Sequence, residues 1–328
     1  MAVQEAVAMH CPAGVNRTSM VEPLQRHPDN RTHGMRATRR PVVSGNHLDQ
    51  LSIRSRKLQY IYMVNEIKRI LDNFARAKRS GYPLIRFDIV RLVARLILPH
   101  YRFKWPQMAW WQDPFFNAYL KKFNELDGMN TDRRWMLYQL MRLASDIPGD
   151  TAECGVFNGA GSYLMCRVNQ KTSVQKRTHY MFDSFAGLSE PSRYDGRFWK
   201  AGDMRCDMAT VQKKMEEMVN FSMHKGWIPE RFADVHTCTF AFVHIDVDLY
   251  GPTRDSIEFF YPRMNDGGII VCDDYGLTSC PGATLAIDRY LKNKSEKMIS
   301  LDSGGGFFIK GRRTIPPLEG NSPFEAEG

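Results

Sequence analysis

Short apolar runs alternate with segments of helical periodicity over the second half of the chain. Strands are predicted at 151–157, 178–185, a short run near Met223, 240–248, 267–273, 298–302 and 306–310, with helices at 161–169, 207–220, 253–261 and 283–292. This alternation is typical of an α/β fold with a doubly wound sheet. Residues 303–305 join the last two strands, which predicts an antiparallel hairpin at one edge of a mostly parallel, seven-stranded sheet.

Helical periodicity dominates residues 46–148. Apolar side chains recur at helical spacing over 60–74, arginines interleave with apolar residues over 84–98, and 134–145 predicts a last helix before the first strand. The basic helix at 84–98 could lie on a membrane surface, but packing on its own domain is the more frequent arrangement. A group of aromatic residues would fill a core or line a pocket: Trp105, Trp110, Trp111, Phe115, Phe116 and Tyr119. We expect this region to bind substrate, cover the site or mediate dimerisation.

The positive charge of the chain is concentrated in its first half. The net charge is +9, and residues 1–150 hold 24 basic and 13 acidic side chains against 21 and 23 in the remainder. Such a surface could face an anionic partner. Because no aromatic residues interleave with the basic ones, a solvated surface is favoured and a nucleic-acid partner is not expected. Residues 1–45 predict a disordered basic tail, and its acidic residues count against an organelle-targeting peptide.

The cysteine pattern and the hydropathy bear on the compartment. Seven cysteines lie at irregular spacing without a C-x-x-C pair, which indicates reduced thiols and argues against a zinc cluster. No run reaches the roughly 18 apolar residues of a membrane-spanning helix, and the first residues lack the apolar stretch of a secretory signal. These features predict a cytoplasmic protein without a transmembrane segment.

A glycine-rich turn follows the first predicted strand. Gly155, Gly159 and Gly161 have the spacing G-x3-G-x-G, which differs from the G-x-G-x-x-G of dinucleotide-binding proteins and so disfavours a nicotinamide-dependent dehydrogenase. Glycines at this turn let the backbone approach a cofactor closely. Asp183 ends the second strand about 30 residues later, where an acid can accept both hydroxyls of a ribose in a Rossmann-like site.

Four carboxylates end two later strands. Asp246 and Asp248 follow one apolar run, and Asp273 and Asp274 follow the next. The carboxyl ends of parallel strands meet at one edge of the sheet, so these groups should converge and repel one another unless a cation compensates. Hard oxygen ligands there suit Mg²⁺ or a similar ion. His244 shares a face with the first pair but is more often a satisfied core histidine than a ligand.

From about residue 129 to 310 the chain resembles the macrocin O-methyltransferase (TylF-type) family of class I S-adenosylmethionine-dependent sugar O-methyltransferases. The resemblance lies in eight segments: 147–150 (IPGD), 153–159 (ECGVFNG), 182–188 (FDSFAGL), 225–227 (KGW), 244–250 (HIDVDLY), 261–264 (YPRM), 267–275 (GGIIVCDDY) and 286–290 (AIDRY). It implies a methyltransferase domain over 149–312, followed by a flexible tail over 313–328.

The resemblance also implies roles for individual residues. The Mg²⁺ ligands would be Asp246, Asp273 and Asp274, and Asp248 would be the general base. The residues that bind S-adenosylmethionine would be Glu153, Gly155, Gly159, Ser162, Asp183, Ser184 and Trp227. A metal that holds two neighbouring hydroxyls lowers the pKa of the one to be methylated.

These implications define an expected function. The protein would be an enzyme that transfers the methyl group of S-adenosylmethionine, with Mg²⁺, to a sugar hydroxyl of a glycosylated natural product or glycan, and helical N-terminal segments predict a homo-oligomer. A catechol-type O-methyltransferase acting on a phenolic vicinal diol is the alternative. A binding module for an anionic partner, using the basic N-terminal half, ranks below both.

Overall fold

A computed structural model describes residues 108–126, 130–172 and 176–315, together with eight single positions between 68 and 97. The chain divides into two units, residues 1–59 and 60–328, and the described residues belong to the second. The predicted tail at 1–45 and Trp105 lie outside the described residues, as do most of the predicted helices at 60–74 and 84–98 and most of the predicted tail at 313–328. Within the described ranges no helix is both long and apolar enough to cross a membrane.

The seven strands form one sheet in the order β3-β2-β1-β4-β5-β7-β6. Their bounds are β1 Asp150–Cys154, β2 His179–Asp183, β3 Phe221–Lys225, β4 Phe240–Ile245, β5 Met264–Cys272, β6 Ile299–Ser300 and β7 Gly306–Ile309. The first five are parallel, and β7 runs antiparallel to both β5 and β6. The predicted doubly wound α/β sheet with a C-terminal antiparallel hairpin is therefore confirmed.

Within residues 108–315, as far as the structure describes them, six α-helices cover the sheet or precede its first strand. They are α1 Pro114–Lys122, α2 Thr131–Leu143, α3 Ala160–Thr172, α4 Met208–Lys214, α5 Tyr250–Phe260 and α6 Pro281–Leu291. Local sequence sets their starts: Asp113 and Asp207 cap α1 and α4 through backbone amides, and proline occupies the first turn of α1 and of α6. The predicted helix at 207–220 is shorter than expected, since α4 ends at Lys214.

Helices pack on both faces of the central strands of the sheet. Every residue of β4 is buried, which matches its continuous apolar run, as expected of a central parallel strand. The aromatic residues before α2 fill a core: Trp110 stacks on Trp135 at 5.8 Å between ring centroids, and Phe116 packs edge-on against the same ring at 5.0 Å. Tyr119 joins this core to α3, because its hydroxyl donates to the Ala160 carbonyl at 3.0 Å.

The parallel register fixes the edge at which the site lies. Glu153 of β1 pairs with His244 of β4, and His244 with Val271 of β5. The carboxyl ends of β1, β4 and β5 therefore finish at one level, and the residues that follow them face the same space.

Candidate active site

One cavity of about 720 Å³ opens at the carboxyl ends of β1, β2, β4 and β5. The glycine turn after β1 and Asp183 line one part of it. The four carboxylates after β4 and β5 line another part. The structure thus brings together the predicted cofactor turn and the predicted metal ligands, which are more than 80 residues apart in sequence.

Gly155 and Asp183 shape the turn after β1. Gly155 has φ of +85°, and a Cβ there would lie 1.8 Å from the carbonyl oxygen of Asp246, so only glycine fits. The carboxylate of Asp183 accepts from the amides of Val156 and Phe157 at 2.8 and 2.9 Å. It also accepts from the Phe185 amide at 2.6 Å. Burial raises the pKa of Asp183, and these three backbone donors oppose the rise.

The other predicted cofactor residues divide into two groups. Ser184 and Trp227 line the cavity with Glu153, Gly155 and Asp183, and the indole of Trp227 is 44 % exposed. Gly159 and Ser162 are not among the lining residues. Gly159 has φ of +85°, and Ser162 is fully buried.

Glu153 anchors a buried polar network beneath the cavity. One carboxylate oxygen accepts from the Ser162 hydroxyl, and the other lies 2.9 Å from Nδ1 of His244. Nε2 of the same imidazole lies 3.4 Å from Asp273. Burial works against protonation of His244, but Asp273 and Glu153 outweigh it and raise its pKa to about 10. Both ring nitrogens of this buried histidine therefore have partners, and His244 links Glu153 to the carboxylate of Asp273.

The four aspartates form two triplets of potential metal ligands. Asp246 and Asp273 group with His244, and Asp248 and Asp274 group with Cys280; within each triplet one ligand atom per residue lies within 4.8 Å of the others. Of the three expected ligands, Asp246 and Asp273 therefore belong to the first triplet, and Asp274 belongs to the second.

Asp248 occupies a special backbone position. Its φ is +59°, which is uncommon outside glycine, and its amide donates to Oδ2 of Asp274 at 2.8 Å. Its Oδ1 accepts from the Cys280 thiol at 3.6 Å. This left-handed residue follows the end of β4 by three positions, and Asp248 lies on the wall of the cavity.

Two arginines that the sequence reasoning missed face these carboxylates. Arg133 of α2 forms an ion pair with Oδ2 of Asp273 and donates to the Asp273 carbonyl at 2.9 Å. Arg134 lies 3.8 Å from Asp246 and 3.2 Å from Glu125. A separation of 140 residues between Arg133 and Asp273 leaves no local signal of this pairing.

The electrostatics of the four carboxylates are unequal. Burial first and Asp273 second raise the pKa of Asp246 to about 7. Burial, followed by Asp248, Asp246 and Asp273, raises the pKa of Asp274 well above its usual value. Burial also acts to raise the pKa of Asp273, but Arg133 and His244 hold it below the ordinary value. Negative charge is therefore incompletely compensated at Asp246 and Asp274, which is where a cation would be most stabilised.

An aromatic wall, Phe198 and Trp199, also lines the cavity and was not predicted. The two rings meet edge to face at 4.8 Å, and the indole Nε1 of Trp199 donates to Sγ of Cys280 at 3.2 Å. Asp195 fixes the loop that carries them, because it accepts from the Tyr250 amide at the start of α5 at 2.6 Å. The wall is held by contacts distant in sequence, so periodicity could not have revealed it.

A seven-stranded sheet of this order, with its cavity at the carboxyl ends of the parallel strands, defines the fold of the class I methyltransferases. A solved calicheamicin methyltransferase shows the same fold, with a TM-score of 0.53 and 18 % sequence identity over 70 % of this chain and 94 % of that one. The model of the macrocin O-methyltransferase (TylF) family matches residues 136–310. The chain belongs to that family and is an S-adenosylmethionine-dependent O-methyltransferase.

Two curated relatives act in antibiotic chemistry by their names. The chain is 27 % identical to demethyldecarbamoylnovobiocin O-methyltransferase of Streptomyces niveus over 52 % of its own length and 69 % of the relative's. It is 26 % identical to mycinamicin III 3''-O-methyltransferase of Micromonospora griseorubida over 51 % and 70 %. Arg133 and Arg134 precede the residues matched by the family model.

Proposed function

We propose that the protein transfers the methyl group of S-adenosylmethionine, with Mg²⁺, to a hydroxyl of a sugar on a glycosylated natural product or glycan. The observation that carries the proposal is the single cavity that holds both the glycine turn with Asp183 and the four carboxylates of β4 and β5. The 3''-O position in the name of the mycinamicin relative supports a sugar hydroxyl over a simple phenol.

The donor set fits a magnesium ion. Carboxylate oxygens are the ligands that Mg²⁺ prefers, and Asp246, Asp273 and Asp274 are the residues that would hold it. The incompletely compensated charge at Asp246 and Asp274 favours a divalent cation there. When bound, the metal would polarise neighbouring sugar hydroxyls and lower their pKa.

Asp248 is proposed as the general base. The hydrogen bond from its backbone amide to Asp274 holds Asp248 beside the proposed ligands. Asp248 is not itself proposed to bind the metal. The acceptor hydroxyl would give its proton to Asp248 as its oxygen bonds to the methyl carbon and the carbon–sulfur bond of the cofactor breaks. Base catalysis of this kind contributes about 10²–10⁴-fold in rate.

The cofactor would lie over the turn after β1. Gly155 approaches the end of β4 closely and has no side chain, so no side chain at this position obstructs the turn. Asp183 would accept hydrogen bonds from the ribose hydroxyls in addition to those from its three backbone donors. Trp227 would cover the exposed side of the cofactor. Glu153, which lines the cavity, would bind the cofactor together with the glycine turn. For Gly159 and Ser162, which do not line the cavity, the proposed role is support of that turn, in which Ser162 donates a hydrogen bond to Glu153. Residues 46–148 would carry acceptor specificity, and 149–312 the methyltransferase domain.

Acceptor profiling tests this proposal. The full chain would be incubated with radiolabelled S-adenosylmethionine, Mg²⁺ and two matched acceptor sets: glycosides bearing vicinal sugar hydroxyls, such as demethylated novobiocin- and macrolide-type glycosides, and catechols. We expect label in the sugar of at least one glycoside and none in the catechols. Label in catechols alone would replace the sugar assignment with the phenolic one. Thermal shift with S-adenosylmethionine against NAD provides the control for cofactor identity.

A further inference from the structure

We propose that Arg133 acts as a built-in counter-cation that competes with the divalent metal for Asp273 and so sets the metal affinity of the site. This inference rests on the proposed metal site. Its basis is the pair of contacts from one guanidinium nitrogen of Arg133 to Asp273: an ion pair with Oδ2 and a hydrogen bond to the carbonyl oxygen at 2.9 Å.

The position of Arg133 on its helix is unfavourable for the helix itself. Arg133 and Arg134 both lie in the first turn of α2, where the helix dipole disfavours cations. The residue before the helix, Asn130, does not cap it; its side-chain oxygen instead accepts from Nη2 of Arg133 at 2.6 Å. The cap that Asn130 could provide is thus given up, and its side chain instead helps to hold the guanidinium that pairs with Asp273.

Both carboxylate oxygens of Asp273 already have side-chain partners. Oδ1 lies 3.4 Å from His244, which sits fully buried beneath the cavity against Glu153. Oδ2 pairs with Arg133, whose side chain lines the cavity and is 16 % exposed. His244 is enclosed, whereas Arg133 lines the cavity, so Arg133 is the partner that can withdraw when a metal binds Asp273.

Charge gives the direction of the effect. A guanidinium bonded to a ligand carboxylate repels a divalent ion placed on the same oxygen, and in a buried site this repulsion is weakly screened. The guanidinium also compensates the buried negative charge of Asp273, which would otherwise destabilise the folded protein. Arg133 therefore stabilises the site while it weakens metal binding.

Binding of Mn²⁺ alone to the chelator-treated full chain, followed by the electron paramagnetic resonance signal of the free ion, tests this. Removing the charge in Arg133→Gln should tighten Mn²⁺ binding at least about tenfold, as expected for loss of a neighbouring cation. Arg133→Lys keeps the charge and should stay within about threefold of wild type. Arg142→Gln is the matched control, because Arg142 lies on the same helix, is exposed and pairs with Gln139.

The outcomes separate this inference from the metal proposal. Equal or weaker Mn²⁺ binding by Arg133→Gln would overturn it and make Arg133 a ligand-positioning residue. If neither wild type, Arg133→Gln nor the ligand variant Asp273→Asn binds Mn²⁺ detectably, the metal proposal fails as well. Should thermal denaturation show that Arg133→Gln does not fold, Asn130→Ala loosens the guanidinium instead, and an unchanged affinity in that variant would overturn the inference.

Discussion

Replacing Gly155 by alanine tests whether the turn after β1 and the end of β4 form one rigid unit. Gly155 has φ of +85°, and an added Cβ would lie 1.8 Å from the Asp246 carbonyl oxygen and 2.7 Å from its carbonyl carbon. Relief of that overlap requires the two strand ends to separate by about 1 Å, and packed strands resist such shifts. The displaced residue carries one of the proposed metal ligands.

Two contributions give the expected loss in the free energy of unfolding. A left-handed backbone costs alanine about 1–2 kcal/mol relative to glycine. Forcing extra volume into a packed junction costs a further ~1–3 kcal/mol. The free energy of unfolding of Gly155→Ala should therefore fall by about 2–5 kcal/mol. Urea denaturation followed by circular dichroism measures it.

Gly202→Ala separates the two terms. Gly202 has φ of +80°, and nothing lies within 4 Å of the position a Cβ would take, so only the backbone term applies. We expect Gly202→Ala to lose about 1–2 kcal/mol and to keep wild-type affinity for S-adenosylmethionine. If the two variants lose the same stability within about 0.5 kcal/mol, the error usual for independent sites, the reasoning about close approach is refuted.

Three further predictions concern the site. Asp248→Asn should lower turnover about 10²–10⁴-fold while calorimetry shows cofactor affinity unchanged; a variant with near wild-type turnover would remove Asp248 as the base. Glu153→Gln should lower the free energy of unfolding by about 1–3 kcal/mol because His244 loses a charged partner, and urea denaturation would expose an error if stability did not change. Trp227→Ala should weaken S-adenosylmethionine binding about tenfold by calorimetry with little change in melting temperature, since the indole is 44 % exposed; unaltered affinity would exclude it from the cofactor site.

The fold could be predicted because each strand carries its own signal. The apolar run that becomes β4 is buried at every position, and the glycines at 304 and 305 precede the antiparallel β7. The ends of the strands are predicted less accurately. The predicted strand at 240–248 includes Asp248, whereas β4 ends at Ile245. Beyond Ile245 the chain leaves the strand and becomes left-handed at Asp248, a change of backbone conformation that periodicity does not encode.

The candidate site could be predicted only where its residues directly follow a strand that the sequence itself indicates. The carboxylates after β4 and β5 follow from topology, since parallel strands finish at one edge. Arg133 and Trp199 reach the cavity through contacts with Asp273 and Cys280 that span 140 and 81 residues. Such pairings depend on how α2 and the loop before α4 pack, and that packing leaves no local pattern in the sequence.

The dependence of methyl transfer on a divalent ion tests the central claim most directly. Transfer of label from S-adenosylmethionine to a glycoside acceptor would be measured with the chelator-treated chain, before and after Mg²⁺ is restored. The four carboxylates, with incompletely compensated charge at Asp246 and Asp274, predict that transfer is lost with EDTA and returns with Mg²⁺. Turnover that persists undiminished in EDTA would contradict the account and leave the carboxylates with a role that needs no metal.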